Sequence, residues 1–150
     1  MIEKVNAVPI ILPSTESMTV EFKSDRNGYP DHELIEALTC LANSQGGELW
    51  LGVEDNGSAS GLHPRHQDTL QLTQLIADNT SPALQVTIKQ HQINGVTVAQ
   101  ILVPEAKRLV ATRTVLIYGV ALNTMTPQNA FIFPRTMSRN PVNRLFKAVQ

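Results

Sequence analysis

The sequence predicts a single α+β domain in which two principal helices pack on a mixed, mainly antiparallel sheet. Two apolar patterns have the spacing of helices, and the runs between and after them alternate as strands do. An Asn-Gly pair joins two of those runs and is typical of a β-hairpin. With 150 residues and 42% hydrophobic content, the chain is long and apolar enough to bury a core of its own.

The strands in the first half of the chain carry charged residues that could form a site. Residues 20–24 are predicted as a strand with Glu21 and Lys23 on one face, because residues two apart on a strand point the same way. Residues 49–54 are predicted as a buried central strand, and Asp55 follows it in an Asn-Gly turn. A carboxylate at the end of a rigid strand is well placed for chemistry.

Two helices are predicted between and after these strands. Asp31 is a suitable N-cap for the first, and the glycine pair Gly46 and Gly47 would end it. The second is expected over residues 67–79. Cys40, the single cysteine, lies within the first helical pattern and is interpreted as a core thiol. A lone cysteine cannot form an internal disulfide, which favours a cytoplasmic location.

The second half of the chain is predicted to be mostly strands. Residues 84–91 and 96–103 would pair through a type I′ turn at Asn94 and Gly95. A further strand is expected over residues 114–122. The domain is therefore assigned to residues 1–123. Residues 124–150 are interpreted as a basic, weakly structured carboxyl-terminal segment, which in a longer native protein would lead to a further domain.

Charge is divided unevenly along the chain. Residues 1–103 hold five Lys or Arg against twelve acids, a net charge of −7, and residues 104–150 hold seven against one, a net charge of +6. Such a basic stretch could hold an anionic polymer, or it could be solvated or dock on the acidic body of its own domain. The candidate nucleic-acid-binding residues are Lys107, Arg108, Arg113 and Arg135.

Several short motifs in order resemble the Schlafen AlbA-type domain, found in RecG-related helicases and transcriptional regulators. The resemblance covers about residues 14–104. The matching elements are Glu16-Ser17, Glu21-Phe22-Lys23, Ala42-Asn43 followed by Gly46-Gly47, and Gly52-Val53 followed by Asp55 and Gly57. It implies an α+β fold and an association with nucleic acid. Many relatives also carry an arginine after a tyrosine in a later strand, which is missing after Tyr118, so a phosphate contact is either lost or moved to Arg108, Arg113 or Arg135.

The resemblance also implies a possible catalytic site. In relatives that cleave RNA, three acids form the active site, and the matching positions here are Glu16, Glu21 and Asp55. An acid two residues before a lysine, as in Glu21 and Lys23, suits a nuclease in which the acid holds Mg or Mn and the lysine stabilises charge on the phosphate. Glu16 must lie in a turn or bulge to join them, since a separation of five places it on the opposite face of a continuous strand.

Three functions remain open at this stage. We favour a non-catalytic nucleic-acid-binding module, with DNA as the expected polymer, in a transcriptional regulator or helicase-related protein. The alternatives are a divalent-metal-dependent endoribonuclease and an oligomerisation or protein-interaction domain that pairs through its strand edges. No cofactor is expected unless the nuclease interpretation holds. The absence of a P-loop sequence argues against ATP hydrolysis, and the apolar run at residues 7–13 is too short to span a membrane.

Overall fold

The structure, a computed structural model, describes residues 10–113. The elements are β1 (Val20–Lys23), α1 (Asp31–Asn43), β2 (Gly47–Leu51), a 3₁₀ turn (Pro64–His66), α2 (Thr69–Asp78), β3 (Thr80–Ser81), β4 (Thr87–Ile93), β5 (Val96–Val103) and β6 (Ala111–Thr112). The main sheet has four strands in the order β1-β2-β5-β4, and a two-stranded sheet pairs β3 with β6.

The pairing of the strands confirms the predicted mixed, mainly antiparallel sheet. β1 runs parallel to β2, whereas β2 with β5 and β5 with β4 are antiparallel. The β4–β5 hairpin turns through Asn94 and Gly95 at φ values of 50° and 83°, as a type I′ turn requires. β2 lies between β1 and β5, and Leu51 within it is fully buried. The predicted central strand is therefore confirmed.

The two faces of the main sheet have different coverings. Both helices pack on one face, where their apolar side chains meet Leu49, Leu51 and Ile101 in the larger core cluster. The other face carries a smaller cluster of Phe22, Trp50, Val53 and Val98. Phe22 therefore lies opposite the Glu21 and Lys23 side chains, as the alternation of the strand predicts.

Two local predictions were wrong. Pro30, not Asp31, is the N-cap of α1, and its side chain makes no capping hydrogen bond. Asp31 is instead the first helical residue, and its carboxylate binds groups from the 3₁₀ turn. Cys40 is exposed, because the buried stripe of α1 passes through Leu38, Thr39 and Leu41 and leaves residue 40 on the outer side of the helix.

The remaining boundaries differ slightly from those predicted. β2 ends at Leu51, since Gly52 takes a φ of +89° and interrupts the extended backbone. α2 begins at Thr69 because the Asp68 carboxylate accepts hydrogen bonds from the Leu70 and Gln71 N–H groups. The predicted strand over residues 114–122, Arg135 and the segment 124–150 lie outside the described residues. No helix within residues 10–113 is long and apolar enough to cross a membrane.

Candidate nucleic-acid interface and acidic site

Glu16 is brought back to β1 by a tight turn. The backbones of Ser17 and Val20 bond to one another across this turn, and the Glu16 Oε1 atom accepts a hydrogen bond of 2.8 Å from the Phe22 N–H. Glu16 therefore lies beside β1 rather than within it. A turn before the strand is the arrangement that the sequence required for Glu16 to approach Glu21.

The Glu21 and Lys23 side chains form a half-buried ion pair on the face of β1 opposite Phe22. Lys23 Nζ lies 2.7 Å from Glu21 Oε1. Partial burial opposes ionisation of Lys23, yet the hydrogen bond to Glu21 and the negative charges of Glu21 and Glu16 raise its pKa above the usual value. Burial also raises the pKa of Tyr29, whose ring lies close enough to Lys23 and Glu21 to respond to their charges. Tyr29 is a neighbour of this site that the motifs did not indicate.

Asp55 is exposed in the turn that follows β2. The turn is held by the Gly57 N–H, which donates to the Glu54 carbonyl at 2.8 Å. Its neighbour Glu54 faces β1, where its Oε1 accepts hydrogen bonds from Ser24 Oγ at 2.8 Å and from Arg26 Nε at 3.1 Å. Within residues 10–113, no group of three or more His, Cys, Asp or Glu side chains is arranged to hold a metal ion. The assignment of Glu16, Glu21, Asp55 and Lys23 to a shared catalytic site stays a prediction.

The segment 104–113, which contains three candidate phosphate-binding cations, is tied to the end of α1. The Ala106 N–H donates to the Ala42 carbonyl at 2.7 Å. The Asn43 side chain donates to the Val110 carbonyl and accepts from the Val110 N–H, both at 2.8 Å. Asn43 thereby satisfies both backbone groups of one residue 67 positions later in the chain. These bonds fix the path of a segment that has little regular structure of its own.

The glycine pair that follows α1 has a packing role as well as a conformational one. A Cβ atom on Gly46 would lie 2.6 Å from the Val103 carbonyl oxygen and 2.6 Å from the Glu105 nitrogen. A Cβ on Gly47 would lie 2.2 Å from the Thr19 carbonyl oxygen. Only glycine lets these backbones approach so closely. The Ala-Asn-x-x-Gly-Gly motif is therefore a docking element for the 104–113 segment and for the turn before β1.

The end of α2 completes the anchoring of this segment. The Arg113 N–H donates to the Asn79 carbonyl at 2.8 Å, and β6 pairs with β3 next to it. A surface cavity of about 250 Å³ lies between the 104–113 segment and the loop that follows β3. Its lining residues are Pro82, Ala83, Leu84, Gln85, Ala106, Lys107, Arg108 and Val110.

The candidate phosphate-binding cations differ from three of the other four cations among residues 10–113, the exception being the exposed Lys89 on β4. Lys23, Arg26 and Arg65 lie within 4 Å of a carboxylate, those of Glu21, Glu54 and Asp31 respectively. Lys107, Arg108 and Arg113 are exposed, and no carboxylate among residues 10–113 lies within ion-pair distance of them. Arg135, the fourth candidate, lies outside the described residues.

A buried network around His66 is a feature that the sequence reasoning missed. The His66 side chain is only 2% exposed and lies between the carboxylates of Asp25 and Asp31. Asp25 is fully buried and belongs to the loop after β1. No short-range motif signals this cluster, because His66 follows Asp25 by 41 residues and Asp31 by 35.

Comparisons with known proteins find similar solved structures and a matching family model. The DIP2311 protein from Corynebacterium diphtheriae matches with a TM-score of 0.54 and 26% identity, over 65% of this chain and 22% of that one. The N-terminal domain of a RecG-related protein from Nitrosomonas europaea matches with a TM-score of 0.48 and 24% identity, over 65% of this chain and 72% of that domain. The family model described as Schlafen, AlbA_2 matches residues 16–125. Since that match covers well over half of the sequence, the chain belongs to the Schlafen AlbA_2 family.

Proposed function

We propose that this chain is a nucleic-acid-binding module, with DNA as the expected polymer, in which Lys107, Arg108 and Arg113 contact backbone phosphates. The observation that carries the proposal is that these three cations are exposed without a carboxylate partner among residues 10–113, whereas three other cations are ion-paired. A cation already bound to a carboxylate must give up that contact to bind phosphate. A solvated one gives up only water and counterions.

Local charge supports the same surface. The described residues hold seven Lys or Arg and twelve acids, a net −5, but the 104–113 segment holds three cations and Glu105 alone, a net +2. An acidic body repels a polyanion from most approaches and leaves this segment as the favourable one. Arg135 is proposed as a further phosphate contact on the basis of its charge alone.

Anchoring of the 104–113 segment favours binding further. Its backbone bonds to Ala42, Asn43 and Asn79 hold Lys107 and Arg108 at the 250 Å³ cavity before any ligand arrives. A preorganised site loses less conformational entropy on binding than a flexible tail does. We assign the domain a binding role without catalysis, as part of a transcriptional regulator or a helicase-related protein in the cytoplasm. Membership of the Schlafen AlbA_2 family supports an association with nucleic acid.

The decisive experiment compares two lysines that differ mainly in position. Lys107 and Lys89 are both exposed and have no carboxylate partner among the described residues, but Lys89 lies on the edge strand β4. Binding of duplex DNA would be measured by fluorescence anisotropy over a range of salt concentrations. Lys107→Gln should weaken binding and reduce the slope of log K against log salt by about 0.9, the value for one lost phosphate contact. Lys89→Gln should leave both nearly unchanged.

A triple variant extends this test. Replacing Lys107, Arg108 and Arg113 with Gln should lower the slope by up to about 2.7, that is 0.9 for each contact. Equal effects of Lys107→Gln and Lys89→Gln would mean that binding follows total charge and that the segment is not the interface. Absence of binding by the parent protein at low salt would reject the proposal.

A second candidate function is a divalent-metal-dependent endoribonuclease. The observation that favours it is the position of Glu16, whose turn places its carboxylate beside β1 next to the Glu21–Lys23 ion pair. Glu16, Glu21 and Asp55 would hold Mg or Mn, and Lys23 would stabilise charge on the scissile phosphate.

Cleavage of structured RNA with and without magnesium or manganese tests this candidate. A nuclease should cut only with metal, and Glu21→Gln should abolish cutting while RNA binding is kept or strengthened. Glu36→Gln is the matched control, since it removes the same charge from an exposed residue of α1. A parent protein that binds RNA but never cuts it would leave the binding module as the better function.

A further inference from the structure

The His66 network joins three parts of the fold at one buried point. His66 Nδ1 lies 2.8 Å and 3.0 Å from the two carboxylate oxygens of Asp25, and its Nε2 lies 3.0 Å from Asp31 Oδ1. Asp25 belongs to the loop after β1, Asp31 to the first turn of α1, and His66 to the 3₁₀ turn. The imidazole thus connects segments that set the starting positions of both helices.

Asp25 fixes one of the two ring nitrogens. Its oxygens also accept hydrogen bonds of 2.7 Å from the backbone N–H groups of Tyr29 and His63, so the buried carboxylate is surrounded by donors. An ionised carboxylate can only accept hydrogen bonds. Nδ1 of His66 must therefore carry a proton whenever it binds Asp25, whatever the state of the other nitrogen.

The second ring nitrogen has two neighbours that need opposite protonation states. Asp31 Oδ1 at 3.0 Å can only accept, so it requires a proton on Nε2. Arg65 Nε at 3.3 Å can only donate, so it requires the lone pair of Nε2. One nitrogen cannot do both at once. The two contacts therefore belong to two protonation states of the ring.

We infer that His66 is a two-state proton switch, which bridges Asp25 and Asp31 as an imidazolium and binds Asp25 and Arg65 as a neutral imidazole. The proton leaves from Nε2, and the Nδ1–H bond to Asp25 is kept. Arg65 Nη2 lies 2.7 Å from Asp31 Oδ1, and this contact does not depend on the protonation state of the ring. The switch therefore changes how α1 is tied to the 3₁₀ turn: directly through the ring in one state, and through Arg65 alone in the other.

The consequence is a change of charge at a cavity. Asp25, Asp31, Arg65 and protonated His66 together have no net charge, and loss of the Nε2 proton makes the cluster −1. Three of these four side chains, those of Asp31, Arg65 and His66, line a cavity of about 230 Å³ beside α2. The walls that α2 contributes, from Gln71, Leu72 and Leu75, are uncharged. Protonation of His66 therefore decides the charge of the cavity.

The surrounding charged groups raise the pKa of His66 above the usual histidine value. The hydrogen bond to Asp25 raises the pKa of His66, burial opposes this, and Asp31 raises it further while the charge of Arg65 lowers it. No charged group from α2 lines the cavity. The imidazolium bridge should therefore persist to a higher pH than an unperturbed histidine would allow.

Nitrogen-15 NMR of the histidine rings across a pH titration tests the inference. We expect Nδ1 of His66 to stay protonated throughout, Nε2 to lose its proton above the usual histidine pKa of about 6.5, and the Arg65 Nε–H signal to shift with the same midpoint. A neutral ring that carries its proton on Nε2 would overturn the inference. So would an Arg65 signal that does not respond.

Two variants should move the His66 midpoint in opposite directions. Asp31→Asn removes the ionic acceptor and should lower it, whereas Arg65→Lys keeps the charge, removes the Nε donor and should raise it. Both side chains are more than 40% exposed, at 43% and 46%, so both variants should fold. His32→Gln is the control. It alters an exposed histidine ring on α1 and should leave the His66 midpoint unchanged. Shifts in the same direction, or no shifts, would show that Nε2 does not exchange partners.

Discussion

Cations at the β1 end of the sheet and cations in the 104–113 segment are held in opposite ways. At the β1 end the side chains are fixed: Lys23 and Arg26 each bind a carboxylate, at 2.7 Å and 3.1 Å. In the 104–113 segment the backbone is fixed instead, through Ala42, Asn43 and Asn79, and the cationic side chains extend into solvent. A fixed backbone with solvated side chains is suited to bind an external anion, whereas a fixed side chain has already found its partner.

The largest expected effect comes from breaking the backbone fixation at Gly46. Gly46→Ala forces a side chain into a left-handed backbone, with φ of +71°, and places its Cβ 2.6 Å from atoms of Val103 and Glu105. Gly95→Ala has a similar φ of +83° and nothing within 4 Å of the Cβ, so it isolates the cost of the backbone conformation. We expect a loss of about 1 kcal/mol for Gly95→Ala from that conformation, and roughly 2 kcal/mol more for Gly46→Ala from overpacking.

Urea unfolding of the two glycine variants measures this difference. Hydrogen exchange at the Ala106 amide should also increase in Gly46→Ala and not in Gly95→Ala, because that amide is part of the displaced segment. Equal losses in both variants would mean that the 104–113 segment does not depend on its close approach to the end of α1.

The next effect separates positioning of the segment from its charge. Asn43→Ala removes both hydrogen bonds to Val110 without changing any charge. We expect it to lower the free energy of unfolding by about 2 kcal/mol, since a backbone N–H and a carbonyl lose their partners, and to weaken nucleic-acid binding. Ser44→Ala is the control, because the Ser44 hydroxyl donates to the Cys40 carbonyl of its own helix and not to the 104–113 segment. Unchanged binding by Asn43→Ala would show that charge alone suffices.

A smaller effect should appear in the pH dependence of stability. The pKa of His66 is raised on folding, so its stabilising contribution is complete below the unfolded value of about 6.5 and is lost as the pH rises through the folded value. Asp31 behaves in the opposite sense. Burial alone would raise its pKa, but the His66 hydrogen bond and Arg65 lower it, so its contribution is lost as the pH falls through its folded value. Urea unfolding from pH 3 to pH 10 should show stability falling at both ends, and His66→Gln should remove the decline between neutral and alkaline pH.

The smallest effect concerns the paired cations. Arg26→Gln breaks an exposed ion pair with Glu54 and should cost about 0.5 kcal/mol or less. It should also leave nucleic-acid binding nearly unchanged, although it removes the same charge as Arg108→Gln. Comparable losses of affinity in these two variants would contradict the distinction between the two regions.

Much of the fold could be predicted from the sequence because its signals are local. The hairpin follows from an Asn-Gly turn between alternating runs, and α1 follows from apolar residues at helical spacing that a glycine pair brings to an end. The family resemblance also rests on short motifs in order along the chain, and the family model that matches residues 16–125 confirms it. The candidate site was predicted in part. The turn that places Glu16 beside β1 was expected, but nothing in the motifs indicated that Glu54 faces the end of that strand.

What the sequence by itself determined is therefore the order of elements, the hairpin turn and the alternation that puts Phe22 opposite Glu21 and Lys23. The tertiary structure alone decided that Cys40 faces outward, that Asn43 binds Val110 and that His66 lies between Asp25 and Asp31. The physical reason is the separation along the chain over which each interaction acts. Turn chemistry and periodicity act over a few neighbouring residues, whereas the partner of a buried polar group is chosen by packing, and packing brings together residues 35 to 67 positions apart.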